Sequence, residues 1–163
     1  MAVKLKSIKC TVTGFEFTPA KTICRGQEEL QPQFADYIAR CIHSDIVKAI
    51  ETQSRRSKWK PLSPSYLSYK RRKGLSTKIW KSSGNMVSSI YKINRGNRIL
   101  IGVTDKRKYP NSDITLREVA VYLEYGTPRM PARPFFRPIF SKYYKNMRGY
   151  WNKFLKDQSR TPK

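Results

Sequence analysis

Hydrophobic residues along this chain fall into stretches of different period. From Gln33 to Thr52 the apolar positions Phe34, Ile38, Cys41, Ile42, Ile46, Ala49 and Ile50 recur at helical spacing, which predicts an amphipathic helix. Pro32 precedes it, where a missing N–H costs nothing. Val3 to Phe17 alternates at period two and predicts a strand. Its parity switches between Val3/Leu5 and Cys10/Val12, so a bulge near Ser7–Ile8 is expected. Thr18 to Pro32 reads as a loop, and Gln53 to Leu62 as a polar, basic, mobile connection containing Trp59.

Ser63–Pro64 is an N-cap followed by Pro at the first helical position, predicting a short helix Pro64–Lys73 that stops at Gly74. A further helix start lies near Ser82 or Ser83 and leads into Met86, Val87 and Ile90. Ile90–Asn94 and Arg98–Val103 flank Arg95-Gly96-Asn97 as a hairpin, and Lys106 to Ser112 forms a basic loop. Thr115-x-x-Glu118 is a capping-box pattern; Val119, Tyr122 and Leu123 would give that helix its apolar face, and Gly126 would end it. The last helix is expected from about Pro134 or Arg137 to Lys156. Its stripe would be Phe136, Ile139, Phe140, Tyr143, Met147, Tyr150, Trp151, Phe154 and Leu155, with Gln158 to Lys163 a frayed tail. The fold class is therefore α+β: a small antiparallel sheet packed by helices on one side, with a long C-terminal helix, in one domain over residues 1–157.

Composition sharpens this reading. The chain has 163 residues, 39% hydrophobic and 12% aromatic, enough for a core without disulfides or metal. The longest stretch free of Asp, Glu, Lys and Arg is Ser82 to Tyr91, too short for a bilayer-spanning helix. No apolar stretch follows the basic start at Lys4, Lys6 and Lys9, so no secretory signal is read. Cys10, Cys24 and Cys41 match no metal spacing and read as free thiols in a reducing compartment.

Charge changes the picture most. Thirty-four Lys and Arg against 11 Asp and Glu give a net charge of +23. Thr52 to Ser112 carries sixteen of the basic residues and a single acid, Asp105. A surplus of that size calls for a negative partner: nucleic acid, acidic protein or anionic lipid. The candidate partner-facing patch comprises Arg55, Arg56, Lys58, Lys70, Arg71, Arg72, Lys73, Lys78, Lys81, Lys106, Arg107 and Lys108. Neither an RNA-recognition signature nor a Gly-rich phosphate cradle accompanies it. His43, the one histidine, has no nucleophile or metal pattern around it and reads as structural. Asp105 and Asp113 flank the basic loop without a metal-binding pattern, which leaves a nuclease little support. The chain is read as a non-enzyme.

Three stretches carry a family resemblance. They are Trp59-Lys60-Pro61-Leu62-Ser63-Pro64-Ser65-Tyr66-Leu67-Ser68-Tyr69-Lys70, then Gly74; Trp80-Lys81-Ser82-Ser83-Gly84-Asn85-Met86-Val87-Ser88-Ser89-Ile90; and Val121-Tyr122-Leu123-Glu124-Tyr125-Gly126-Thr127 with Met130-Pro131-Ala132-Arg133-Pro134-Phe135-Phe136. In order and spacing they resemble the tail-completion, or virion-morphogenesis, proteins of tailed bacteriophages. The departure is Ser82-Ser83-Gly84, where that family usually has a threonine before the glycine. The resemblance covers about half the chain and leaves the N-terminal third unmatched.

It implies a structural virion protein of the neck or head-proximal tail, made in the host cytoplasm. Such a protein forms a ring, typically hexameric, around the DNA channel beside the tail terminator or head–tail connector. It would act in tail completion and head–tail joining, without catalytic residues or cofactors and with possible non-specific contact with packaged DNA. The expected subunit or partner interface is Glu124, Tyr125, Arg129, Met130, Arg133, Phe135 and Phe136, with Glu124 facing Arg129 or Arg133 of a neighbour. The alternative is a basic nucleic-acid-binding protein without sequence specificity, favoured by charge alone.

Overall fold

A computed structural model of the chain describes residues 8–11, 14–17, 28–54, 58–95, 98–103, 108–109 and 112–160. The elements are β1 (Ile8–Thr11), β2 (Gly14–Phe17), a 3-10 turn at Glu28–Leu30, α1 (Gln31–Thr52), α2 (Pro64–Arg72) and α3 (Asn85–Ser88). They continue with β3 (Ile90–Arg95), β4 (Arg98–Val103), α4 (Leu116–Tyr125), α5 (Phe136–Lys145) and α6 (Met147–Arg160). The fold is α+β. The four strands form one antiparallel sheet in the order β1-β2-β4-β3.

The apolar stripe of α1 behaves as its spacing requires. Phe34, Ala35, Ile38, Ala39, Ile42, Ile46 and Ile50 are buried, while Cys41 and Ala49 are half-buried at the edge. The helix lies against β3 and β4, and α5 and α6 pack on it in turn. Ile99, Ile101 and Val103 alternate along β4 into the same core. The His43 ring donates to the Ile90 carbonyl at 3.1 Å and ties α1 to β3, a structural role. The helix ends where Gln53 adopts a left-handed conformation (φ 53°), and its side-chain amide pairs with both the N–H and the C=O of Ile79 at 2.9 Å.

Several expectations need correction. The N-terminal stretch is two strands, not one: Thr11 pairs with Gly14 and Ile8 with Phe17, while Val3 and Leu5, on which the parity switch rests, lie outside the described residues. Ser7, on the expected bulge, lies outside the described residues, as do Cys10's side chain and Cys24. In the second hairpin Arg95 pairs with Arg98, which places Arg95 in the strand; Gly96 and Asn97 are outside the described residues. The helix start near Ser82 is a single turn, α3, entered from Gly84 at φ 97°. The long terminal helix is broken at Asn146 into α5 and α6, although its stripe is buried nearly as expected. Gln158 to Arg160, expected to fray, extend α6.

Candidate functional site

Three irregular segments far apart in sequence meet on one side of the core, and each is fixed by side-chain donors reaching backbone carbonyls. The Trp80 indole N–H donates to the Arg133 carbonyl at 2.9 Å, and the Trp59 indole N–H to the Pro134 carbonyl at 3.3 Å. The Arg133 guanidinium returns the connection, donating to the carbonyls of Lys60 (3.0 Å) and Pro61 (3.2 Å). The Phe135 ring sits 5.0 Å from Trp59 and 5.8 Å from Trp80, centroid to centroid. Proline-rich backbone has few N–H donors and cannot join a ladder, so these side chains supply the cross-links. Trp80 is held at φ 64°, a left-handed conformation that a tryptophan adopts only under such constraint. Trp59 is buried and hydrogen-bonded, and so is not part of a mobile connection.

Glu124 organises the other end of this unit. The capping box of α4 forms as its pattern predicts: the Glu118 N–H donates to Thr115 Oγ1 at 3.2 Å and the Thr115 N–H to Glu118 Oε2 at 2.8 Å. The Thr115 hydroxyl, donating to Glu118 Oε2 at 2.7 Å, and then the Thr115 N–H hold the Glu118 carboxyl below its ordinary pKa. Leu116, Ala120 and Glu124 are the buried face of α4. The Glu124 carboxylate, 3% exposed, accepts the N–H groups of Phe135 (2.7 Å), Phe136 (3.0 Å) and Arg137 (2.9 Å), and pairs with Arg137 Nε at 3.5 Å. It thereby fills the positive N-terminus of α5. Gly126 follows at φ 80°, where a Cβ would meet Ala132 N at 2.8 Å and Met130 O at 2.9 Å; only glycine fits.

This arrangement revises the expected interface. Glu124, Arg133, Phe135 and Phe136 are buried and occupied within their own chain, and neither Arg129 nor Arg133 pairs with Glu124. Tyr125 and Arg129 remain exposed and Met130 half-exposed. Tyr125 carries the Arg137 guanidinium over its ring at 4.8 Å.

The basic patch divides in the same way. Lys70 is not a surface residue: it is 3% exposed, and its ammonium donates to the carbonyls of Lys78 (2.9 Å) and Lys81 (3.0 Å). Lys81 pairs with Glu51 at 2.7 Å, which holds that carboxyl below its ordinary pKa; Lys78 donates to the Glu51 carbonyl. Lys108 pairs with Asp113. Lys58, Arg71, Arg72 and Lys73 are exposed. Arg71, Arg72 and Lys73 close α2 beside the stacked Tyr66 and Tyr69, whose ring centroids are 6.0 Å apart. Arg55, Arg56, Asp105, Lys106 and Arg107 lie outside the described residues.

Between the segments opens a cleft of about 700 Å³. Leu62, Ile79, Trp80, Met86, Val119 and Leu123 form its apolar wall, and Tyr66, Tyr109 and Tyr122 bring phenols. Six cations also line it, and among the described residues no acidic side chain does. Burial, then the hydrogen bond and proximity to Tyr109, push Tyr66 up to about 12. Burial lowers the pKa of both Lys70 and Arg133. Val119, Tyr122 and Leu123 are half-buried and line this cleft; Val119 and Leu123 also pack against the core, as expected, beside the buried Leu116, Ala120 and Glu124. Sequence periodicity had marked an apolar face without showing that it lines an opening.

Among the described residues no cluster of His, Cys, Asp and Glu could hold a metal ion, and no helix is long and apolar enough to cross a membrane. No family model, curated protein or solved structure matches the chain.

Proposed function

We propose that this protein is a structural component of a tailed-bacteriophage particle, in the neck or head-proximal tail, where it joins a ring around the DNA channel and acts in tail completion. One observation carries the reading. The three stretches that resemble the tail-completion proteins pack as a unit, through Trp59, Trp80 and Arg133 bonded to one another's backbone and Phe135 set against both indoles. Residues that recur together across distant segments do so most simply because they build one module. The partner-facing surface of that module is then Tyr125, Arg129 and Met130, together with the exposed cations Lys58 and Arg71 to Lys73.

The test is the particle itself. Purified virions should contain the chain at fixed copy number, and a cryo-EM map should place it as a ring, expected to be a hexamer, at the head–tail junction. Absence from purified particles would overturn the proposal.

A second reading, non-specific nucleic-acid binding, is favoured by the exposed Arg71-Arg72-Lys73 run beside two stacked tyrosines. A salt-dependent mobility shift of bare DNA, lost when those three residues are reversed, would support it.

A further inference from the structure

The cleft contains an unusual electrostatic situation. Lys70 and Arg133 are 3% and 5% exposed, both line it, and among the described residues their hydrogen-bond partners are backbone carbonyls. Among the described residues neither has a carboxylate in contact. The Lys70 ammonium lies 5.7 Å from the Tyr66 ring centroid, and Tyr66 lines the cleft together with Arg133. A buried cation without a counter-ion is costly, and carbonyl dipoles compensate it only in part. Lys70 has one N–H left beyond its two carbonyls, and Arg133 three beyond its own two.

We propose that the cleft is a docking site for a segment of a partner protein that carries an apolar side chain next to a carboxylate. The apolar wall receives the hydrocarbon, and Lys70 and Arg133, with Arg129 at the rim, receive the anion. Charge complementarity selects this occupant: among the described residues the lining holds six cations and no acid, and Glu51 answers two of them, Lys78 and Lys81. Its volume suits a few side chains rather than a domain. The apolar wall argues against a phosphate backbone, which has nothing to place there. The exposed cations Arg71 to Lys73 are not part of the lining, so a nucleic acid attracted to them would bypass the cleft. The burial of both cations rigidly on carbonyls means the site is formed before the partner arrives, which lowers the ordering cost of binding. This inference rests on reading the chain as an assembly component and supplies the chemistry of its neighbour.

A displayed library of random short peptides, selected on the isolated, intact protein, tests it. Enriched peptides should carry Asp or Glu beside Phe, Leu or Met. The best of them should bind about ten- to a hundredfold more weakly when its acids become Asn or Gln. Lys70→Met should weaken binding to a similar degree. Since that change also removes two internal hydrogen bonds, Arg129→Glu at the exposed rim is the second variant, expected to melt like wild type and to bind more weakly. Enrichment of no peptide, enrichment without acids, or equal binding by the amide analogue or by folded Arg129→Glu would overturn the proposal. So would displacement of the peptide by an oligothymidylate that itself shifts the Trp80 and Met86 NMR signals. The assay contains no other virion component. Its failure therefore removes the cleft as a docking site, whereas absence from particles removes the functional reading.

Discussion

Two parts of this interior are held together by different means. Around α1, the core is Phe34, Ile38, Ile42, Ile46, Trp151 and Phe154 packed by area and shape; the Phe34 and Trp151 rings meet edge-on at 4.9 Å. Around the cleft, the segments are irregular, and polar side chains bond backbone groups: two indoles, a guanidinium, an ammonium and a carboxylate. The difference follows from where the backbone hydrogen bonds go. A helix or strand satisfies its own N–H and C=O groups and needs only an apolar stripe to be held in place. A proline-rich strap leaves carbonyls unpaired, and burying it requires donors from elsewhere. The apolar part should therefore answer to changes in volume, and the cleft part to single polar atoms.

The largest effects test both sides of that contrast at once. Trp151→Ala and Phe154→Ala remove rings that are buried against Phe34, and each should destabilise the protein by about 3–5 kcal/mol in denaturant melts. Glu124→Ala removes far less volume. It strips the counter-charge and three hydrogen bonds from the start of α5, so its cost should also reach about 3–5 kcal/mol. If Glu124→Ala costs no more than an exposed substitution, the carboxylate does not hold the strap and the comparison fails.

A smaller, sharper test compares two tryptophans. Trp80→Phe and Trp59→Phe delete similar ring area and one indole donor each. The Trp80 bond is 2.9 Å and the Trp59 bond 3.3 Å. Trp80→Phe should cost about 1–3 kcal/mol from the stranded Arg133 carbonyl, and Trp59→Phe measurably less. Equal losses would show that these indoles act as volume, like the rings around α1.

The same contrast governs what could be read from sequence. The α1 stripe, the α4 capping box and the stripe of α5 and α6 were all legible, because period and local chemistry are properties of adjacent residues. The break at Asn146 was not, since the stripe runs through it with both helices facing one core. Nor was the fate of Glu124 or Arg133. Both belong to stretches whose resemblance to tail-completion proteins made them candidates, yet a lone acid bonded to N–H groups eleven to thirteen residues on leaves no periodic trace. Lys70 looked like its neighbours Arg71, Arg72 and Lys73. Only the return of the chain at Lys78 to Lys81, placing two carbonyls over it, separates a buried cation from a surface run.

That separation yields the prediction with the smallest effect on stability. Reversing all four residues of the Lys70–Lys73 run would confound two experiments, because Lys70→Glu places a carboxylate against the Lys78 and Lys81 carbonyls and should unfold the cleft. The variant to make is Arg71→Glu, Arg72→Glu and Lys73→Glu, with Lys70 kept. These side chains are exposed, so each change should shift stability by about 0.5 kcal/mol or less. Two small terms oppose one another. Acids at the end of α2 oppose its dipole, while fewer like charges in a strongly basic region relieve repulsion. The triple variant should therefore melt close to wild type. If the patch meets an acidic virion protein, this folded variant should be excluded from particles, and incorporation of folded protein is the measurement that decides. Normal incorporation would make Arg71 to Lys73 a solvated surface and leave the cleft, with its two buried cations, as the place where the positive charge meets a partner.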